Sequence, residues 1–395
     1  MKILQVVSRI PFPLNDGGNI ATWQLANHLG KSGQEMQMAA LNTLKHYQDP
    51  SVLNSLVGNA ITETIDTTLS PWKAIQNLSS PLPYIVSRFV SPTFEQKLIQ
   101  HIQLSPPDII QLEGLYVSPY LNAIQKVFKG PIVYRAHNLE FLIWERLAHS
   151  AKGIKKWYLT RMAKALKSYE QKFLRQVSAV LVFTQEDANL AQKLGYLGKM
   201  EIIPAGVDTQ QFYGSHKDPI PNSIGFLGSL DWLPNQEAVQ WFVKKVLPKI
   251  KEKIPEVKFR VAGRNPPKHW TEWANQEGWD LIGPVPEALH FLHSNSIFVV
   301  PLKSGGGMRL KILEAQASGI PVLSTSVGLE GISMIPDLEV MVGNSAEELS
   351  EKAIVLLQNP ELRKKMAQQA LLKIKETYDW QVIAQKTILF YNSLN

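Results

Sequence analysis

Residues Val299–Glu314 read VVPLKSGGGMRLKILE. An apolar run closes at Pro301, three consecutive glycines follow, and a helix is predicted to start near Met308. Glycine has no side chain, so a phosphate can approach the backbone there. Free N–H groups at the positive end of a helix favour negative charge. Arg309 and Lys311 fall in the predicted first turn. Cations at that end oppose the helix dipole, a local cost that an anion seated on the loop would offset. Glu314 comes one turn later, where a carboxylate can accept two hydrogen bonds from a ribose. The other reading of the segment is a flexible strand-to-helix turn with solvated basic residues.

The same strand–loop–helix grammar extends outward. Upstream, strands are predicted at Ser223–Leu227, Lys258–Ala262, Trp279–Ile282 and Ile297–Val300, with helices at Asn235–Lys251 and Pro286–His293. Downstream come helix Arg309–Ser318, strand Pro321–Ser324 and a helical end. A first series precedes it: strand Ile3–Val7, helix Ile20–Leu29, then strands Met36–Leu41, Ile109–Leu112, Ile132–Tyr134, Ala179–Phe183 and Glu201–Ile203. Residues 42–107 are weakly patterned. Strands alternating with helices predict mainly parallel sheets, here twice over. The charged, proline-containing stretch Gly214–Asn222 reads as a linker. The expected fold is therefore α/β, with two Rossmann-like domains at 1–213 and 223–375 and a C-terminal helix, 376–395, packing back toward the first. Such domains would hold a ligand in the cleft between them, at the carboxyl ends of the strands.

Composition narrows the function. With 395 residues, 45% apolar and 19% charged, the chain is an ordinary globular one of more than one domain. Its formal charge of +7 suits an anionic ligand or membrane surface and is too diffuse to argue for nucleic acid. There is no cysteine, which excludes disulfides, thiolate metal sites and a cysteine nucleophile. The apolar stretch of the first residues is too short for a signal peptide, and no run reaches spanning length, so a cytoplasmic protein is expected. The histidines show no metal-ligand spacing, and no P-loop, G-x-S-x-G or G-x-G-x-x-G is present.

The segments GSLDWLPNQEAVQWF, VAGRNPP, GPVPE, GGGMRLKILEAQASGIPVLST and VGLEGI, within Ser223–Gly331, resemble the retaining nucleotide-sugar glycosyltransferases of family 4, which have two Rossmann-like domains (GT-B type). They are most similar to a bacterial subgroup that builds exopolysaccharides and lipid-linked glycans. The Gly17-Gly18 loop, RAHNLE and IPAGVD extend a looser resemblance over the N-terminal half. The resemblance implies an acceptor-side first domain and a nucleotide-sugar-binding second one. It implies transfer of a hexosyl group to a glycan or lipid-linked acceptor with retention, and no metal or other cofactor. Glu314 matches the second glutamate of the family's pair, which holds the donor ribose, and Gly306 stands where the first is expected. Backbone N–H groups of Gly306, Gly307 and Met308 would take the diphosphate. The family's phosphate-binding Arg and Lys are absent from GSLDWLPN, where Ser229 and Asn235 stand, so Arg309 and Lys311 are expected to replace them. Gly17 and Gly18, Arg264, Val285 and Glu330 become further donor contacts, though Arg264 and Val285 read equally as strand-exit turns and Glu330 as a loop-holding residue. Trp232 could face the cleft or lie in the core. His137, at a strand's carboxyl end, takes the family's contact to the donor sugar, with a buried core histidine as the other reading. Glu113 is expected to touch the acceptor or to be a buried hydrogen-bonded carboxylate.

Two functions compete with transfer. A nucleotide-sugar epimerase of the same architecture would need several carboxylates in the cleft, where the sequence offers Glu113 and Glu314. A non-catalytic sugar-nucleotide or glycan-binding protein is made credible by Gly306. Finally, Ala151–Gln176 holds eight Lys or Arg and one acid, Glu170. Its apolar residues, including Ile154, Trp157, Tyr158, Met162, Ala165 and Leu166, recur at helical spacing. Such a helix packs on its own sheet with a solvated basic face, or meets anionic lipid at the inner face of the cell membrane.

Overall fold

The computed structural model describes residues 1–394 except 15, 59, 78–79 and 213–218. The chain divides into one unit of Met1–Pro204 with Ile383–Asn395, and a second of Ala205–Val382. The divisions fall at 204/205 and 382/383, not at the expected 213 and 375. Most of the predicted linker, Gly214–Asp218, lies outside the described residues. Its end does not: Ile220–Asn222 already belongs to a strand.

The first unit is built on seven parallel strands: β1 (Lys2–Val7), β2 (Glu35–Thr43), β3 (Ala60–Ile65), β4 (Ile109–Glu113), β5 (Ile132–Ala136), β6 (Ala179–Val182) and β7 (Lys199–Ile202). Their order is β3-β2-β1-β4-β5-β6-β7. Helix α1 (Gly17–Lys31) follows β1, and Asp16 caps it by accepting from Asn19 N at 3.0 Å. After β5 come α2 (Glu140–Ser150) and α3 (Gly153–Leu174). Strands β4, β5 and β6 are buried along their whole length, as expected for a parallel sheet covered on both faces.

The second unit repeats the plan with β8 (Ile220–Leu227), β9 (Lys258–Ala262), β10 (Asp280–Gly283), β11 (Asn295–Val300), β12 (Val322–Ser324) and β13 (Met341–Val342), ordered β10-β9-β8-β11-β12-β13 and again all parallel. The helix predicted over Asn235–Lys251 begins as α4 (Leu233–Trp241), passes through a π-helical turn, Phe242–Val246, and resumes over Leu247–Lys251. The cause is Pro248. It has no N–H and its ring collides with the carbonyl four residues back, and a widened turn relieves both. Helix α5 (Leu310–Ala317) follows the glycine loop. The predicted 376–395 helix is two: α6 (Pro360–Thr377) ends before Tyr378 and α7 (Trp380–Asn392) begins afresh. From Ile383 onward the chain belongs to the first unit, where Lys386 reaches Ile202 O at 2.9 Å and Glu201 at 2.9 Å.

In both sheets the chain runs outward from the first strand, then returns to its other side. The return points lie between β1 and β4 and between β8 and β11. In sheets of this order the return point is where loops at the carboxyl ends diverge and a ligand crevice is expected.

Candidate active site

At the first return point, β4 ends in Glu113 and β5 in Arg135-Ala136, with Glu113 registered against Arg135. His137 follows. Its Nε2 lies 2.5 Å from Glu113 Oε2, and its ring stacks on Phe183 at 5.0 Å. Glu113 Oε1 accepts from Gln5 at 3.2 Å and from Gln111. Arg135 Nη1 lies 3.4 Å from both carboxylate oxygens and donates to Ala21 O at 3.1 Å. Its Nε and Nη2 find no acceptor among the described residues, and its guanidinium instead sits 4.8 Å from the centre of the Phe183 ring. Burial pushes the Glu113 carboxyl up. Arg135, His137 and Gln111 outweigh it and hold the group below the usual carboxylate range.

The buried-carboxylate reading of Glu113 is therefore the one realised. Its oxygens are occupied by its own neighbours, and what it offers a ligand is an oriented His137. The network runs further. Gln111 Oε1 accepts from Tyr391 of α7, so the last helix reaches the site through two side chains. Gly18 is also close: a Cβ there would lie 4.0 Å from His137 Nδ1 and 3.4 Å from Arg9. Gly17 is the first residue of α1. A cavity of about 590 Å³ opens at this edge and is lined by Gly18, Glu113 and His137, among others.

Two acids given no site role by the sequence lie in and behind the cavity wall. Glu140, first residue of α2, lines the cavity and accepts from Tyr116 at 2.9 Å. Glu170, the lone acid of α3, is fully buried and caps α2. It accepts from Glu140 N at 3.2 Å, Phe141 N at 3.3 Å and Tyr134 at 3.3 Å. Burial raises the Glu140 carboxyl to about 7. Burial and then Glu140 raise Glu170 to about 8. The single acid in a basic run was the only sequence signal for this pair.

The second return point carries the glycine loop. Gly305 and Gly307 have φ of +107° and +83°, a region open mainly to glycine. Arg309 is not in the first turn as expected; it is the N-cap residue of α5. Its buried guanidinium turns back to donate to Gly306 O and Gly307 O, and lies 5.7 Å from the Trp232 ring centre. It thus braces the loop instead of reaching outward. Trp232 is 40% exposed and sits against Gly305, where a Cβ would meet it at 3.0 Å. The core reading of Trp232 is set aside.

Lys311 is in the first turn, with Nζ 3.4 Å from Asn235 Oδ1 and 5.2 Å from the Phe226 ring centre. Burial and the nearby Arg309 bring it down to about 8, against a smaller opposing pull from Glu314. Burial raises Glu314, and Lys311 limits the rise. A Cβ on Gly228 would lie 2.6 Å from both Lys311 Nζ and Asn235 Nδ2, so any larger residue would push these side chains from their present places. The strand-exit turns after β8 and β9 are laced together by Asn265 to Asp231 at 2.9 Å and Leu230 N to Arg264 O at 2.8 Å. Arg264 is exposed there, Val285 is half-buried in the turn after β10, and Glu330 is half-buried after β12. Gly306, Gly307, Met308, Lys311 and Glu314 are brought together, with Trp232 and Asn235 beside them.

Against known proteins, residues 15–211 match the family described as Glycosyltransferase Family 4, and residues 221–359 match Glycosyl transferases group 1. The chain is a glycosyltransferase of the GT-B type. It is similar to an uncharacterized 44.6 kDa protein in the cps region of Klebsiella pneumoniae, at 23% identity over 96% of both chains. A GDP-mannose-dependent monoacylated alpha-(1-6)-phosphatidylinositol monomannoside mannosyltransferase of Corynebacterium glutamicum is 22% identical over 47% of this chain and 54% of that one. Among solved structures, Anabaena HepE in complex with UDP superposes with a TM-score of 0.71 at 13% identity, over the full length of both chains. These matches favour sugar transfer over the epimerase and the non-catalytic binder.

Proposed function

We propose that this enzyme moves a hexosyl group from a nucleotide diphosphate sugar to a glycan or lipid-linked acceptor in polysaccharide assembly, with retention of anomeric configuration. The observation that carries the reading is the convergence of the Gly306–Met308 backbone, Lys311 and Glu314 at the return point of the second sheet. A braced glycine loop before a helix suits a diphosphate, and a carboxylate one turn later suits a ribose. UDP, the ligand of the Anabaena relative, is the first nucleotide to test.

As the bond from the anomeric carbon to the diphosphate breaks, negative charge grows on the leaving group. Loop N–H groups and Lys311 stabilise it, each such preorganised donor contributing on the order of 3 kcal/mol. His137, held by Glu113, meets the sugar hydroxyls as the ring flattens, and Arg309 keeps the loop in shape. The scheme uses no metal. Incubation with labelled nucleotide sugars and a membrane extract tests the reading: transfer to an acceptor is expected, and epimerised or merely bound donor would refute it. His137→Ala should lower turnover far more than donor affinity.

A second reading concerns place of work. On α3 the apolar face is buried at Leu159, Met162, Leu166 and Phe173, whereas Ile154 and Trp157 are 87% and 60% exposed amid Lys152, Lys155 and Lys156. Ala165, counted on the apolar face, is exposed too. No helix among the described residues is long and apolar enough to cross a membrane. Exposed Trp and Ile ringed by lysines suit peripheral attachment to the anionic inner face of the cell membrane. Sedimentation with anionic but not neutral liposomes is expected, with release when Lys152, Lys155 and Lys156 are changed to Glu.

A further inference from the structure

The cavity of the first unit has two walls of opposite character. Over β4 and β5 its acids are already answered: Glu113 by Arg135 and His137, and Glu140 by Tyr116. The other wall is basic. Arg9 comes from the turn after β1, Lys45 and His46 from the turn after β2, and Arg88 from the end of the short helix Tyr84–Ser87. Arg9 is paired with Asp16 at 2.8 Å. Lys45 and Arg88 have no acidic partner among the described residues. Arg88 Nη1 donates to Thr67 O at 2.5 Å, which ties the loop after β3 to the same wall, while its buried Nε has no acceptor. The field is felt locally: burial, then Arg9 and Lys45, disfavours the charged form of His46.

Loops far apart in sequence thus bring Arg9, Lys45, His46 and Arg88 into the lining of the cavity that also holds His137, and of these cations Lys45 and Arg88 have no acidic partner among the described residues. Gathering like charges is unfavourable unless an anion is received there. We propose that Lys45 and Arg88, assisted by Arg9, form a subsite for an acidic group on the sugar acceptor, a phosphate ester or a carboxylate, with the acceptor's body extending toward His137. This rests on the reading that the first unit takes the acceptor. A neutral glycan would leave the basic wall without a partner, so the acceptor class narrows to acidic ones. Phosphate on a lipid carrier and the carboxylate of a uronic acid share this chemistry.

The test measures binding by calorimetry of four probes: a short-chain prenyl diphosphate-linked glucose, methyl glucuronide, methyl glucoside and UDP. One or both acidic probes should bind more tightly than methyl glucoside, with an affinity that falls as salt rises. Which of the two wins assigns the source of the charge. Lys45→Glu, at an exposed residue, should weaken the acidic probe about tenfold and leave methyl glucoside and UDP unchanged. Arg88→Lys, which keeps the charge but not the fork, should weaken it less than Lys45→Glu does. Equal binding of acidic and neutral probes would overturn the subsite, as would an unmoved acidic probe in Lys45→Glu. Loss of UDP affinity in Lys45→Glu would also overturn it, by giving these cations to the nucleotide. Failure of UDP to bind the unaltered protein would instead count against the transferase reading and leave the acidic-probe comparison standing.

Discussion

The two sheets share one strand order around their return points, yet they keep their charges in different places. In the first unit the polar groups are inside the sheet. Gln5, Gln111 and Arg135 are completely buried on adjacent central strands, and together they hold Glu113, itself nearly inaccessible. In the second unit the strands that flank the return point, β8 and β11, end in apolar residues, and the site's charges stand where a loop becomes a helix: Arg309, Lys311 and Glu314. A network in the sheet is costly to break because every member loses its partner in a dry interior. A site on a loop and a helix start can lose a side chain and still fold. Fold and function are thus tightly coupled in the first unit and loosely coupled in the second.

The strongest way to break this contrast is to remove one charge from each. Arg135→Met strands the Glu113 carboxylate, and loss of one partner of a buried pair costs about 3–5 kcal/mol. Arg135→Met with Glu113→Gln removes the stranded charge and should recover much of that in a chemical denaturation series. Glu314→Gln should leave the denaturation curve nearly unmoved while weakening the nucleotide sugar about tenfold by calorimetry, a charge-assisted contact being replaced by a neutral one. If Glu314→Gln unfolds the protein, or Arg135→Met is silent, the contrast fails.

A smaller effect sharpens it through pH. Glu140 and Glu170 are raised in the folded state, to about 7 and about 8, from 4.5. The folded protein therefore holds protons that the unfolded chain releases, and their contribution to stability is lost as pH rises from the usual carboxylate range through about 8. Lys311 is lowered from 10.5 to about 8, so the folded state gives up its proton first. Its contribution is unfavourable at neutral pH and is relieved as pH rises from about 8 toward 10.5. Glu140→Gln should flatten the loss of stability between mildly acidic and mildly alkaline pH. Lys311→Met should flatten the recovery above about 8. Diphosphate affinity should also weaken as Lys311 discharges. Melting curves across pH for both variants check the first two, and calorimetry of UDP binding to the unaltered protein across the same pH range checks the third.

Much of this organisation was written in the sequence, and the exceptions have physical causes. Strand β9 falls where it is predicted, Lys258–Ala262, because KFRVA sets buried Phe259 and Val261 between Lys258 and Arg260 at the period of two that a strand requires. Strand β3 was hidden in the weakly patterned stretch: AITETI is an edge strand, only partly buried, and carries no apolar run. Two-residue β13 is too short to show any period. Helical spacing puts Ile154 and Trp157 on one apolar face with Met162 and Leu166, but periodicity cannot tell where along a helix the packing stops, and here it begins at Leu159. At the sites, Gly305–Gly307 and His137 were legible as residue types in loops after strands, and Lys311 and Glu314 as residue types at the start of the helix that follows. The bracing role of Arg309 was not, since it depends on a side chain folding back on its own loop. Nor were Glu140, Glu170 and Tyr391, whose partners lie dozens to hundreds of residues away.

Tyr391 offers the finest test of the coupling in the first unit. It stands in the last helix, completely buried, and its hydroxyl donates to Gln111, which donates to Glu113, which holds His137. Burial raises its pKa, so the phenol stays protonated and a donor at any working pH. Tyr391→Phe keeps the ring and removes that one donor, leaving Gln111 Oε1 without it; the cost is about 1 kcal/mol. If the last helix only clamps the fold, the melting point drops slightly and turnover at saturating donor is unchanged. If it also sets Gln111, the amide can rotate, its hold on Glu113 loosens, and the His137 ring loses a fixed tautomer. Turnover should then fall by a factor of about two to five with the donor KM unmoved, and the pH profile of kcat should shift while that of KM does not. Gln111→Glu placed on Tyr391→Phe should not rescue, because it sets a second carboxylate beside Glu113. A profile of unaltered shape in Tyr391→Phe would confine the role of α7 to stability and cut the first unit's network at Gln111.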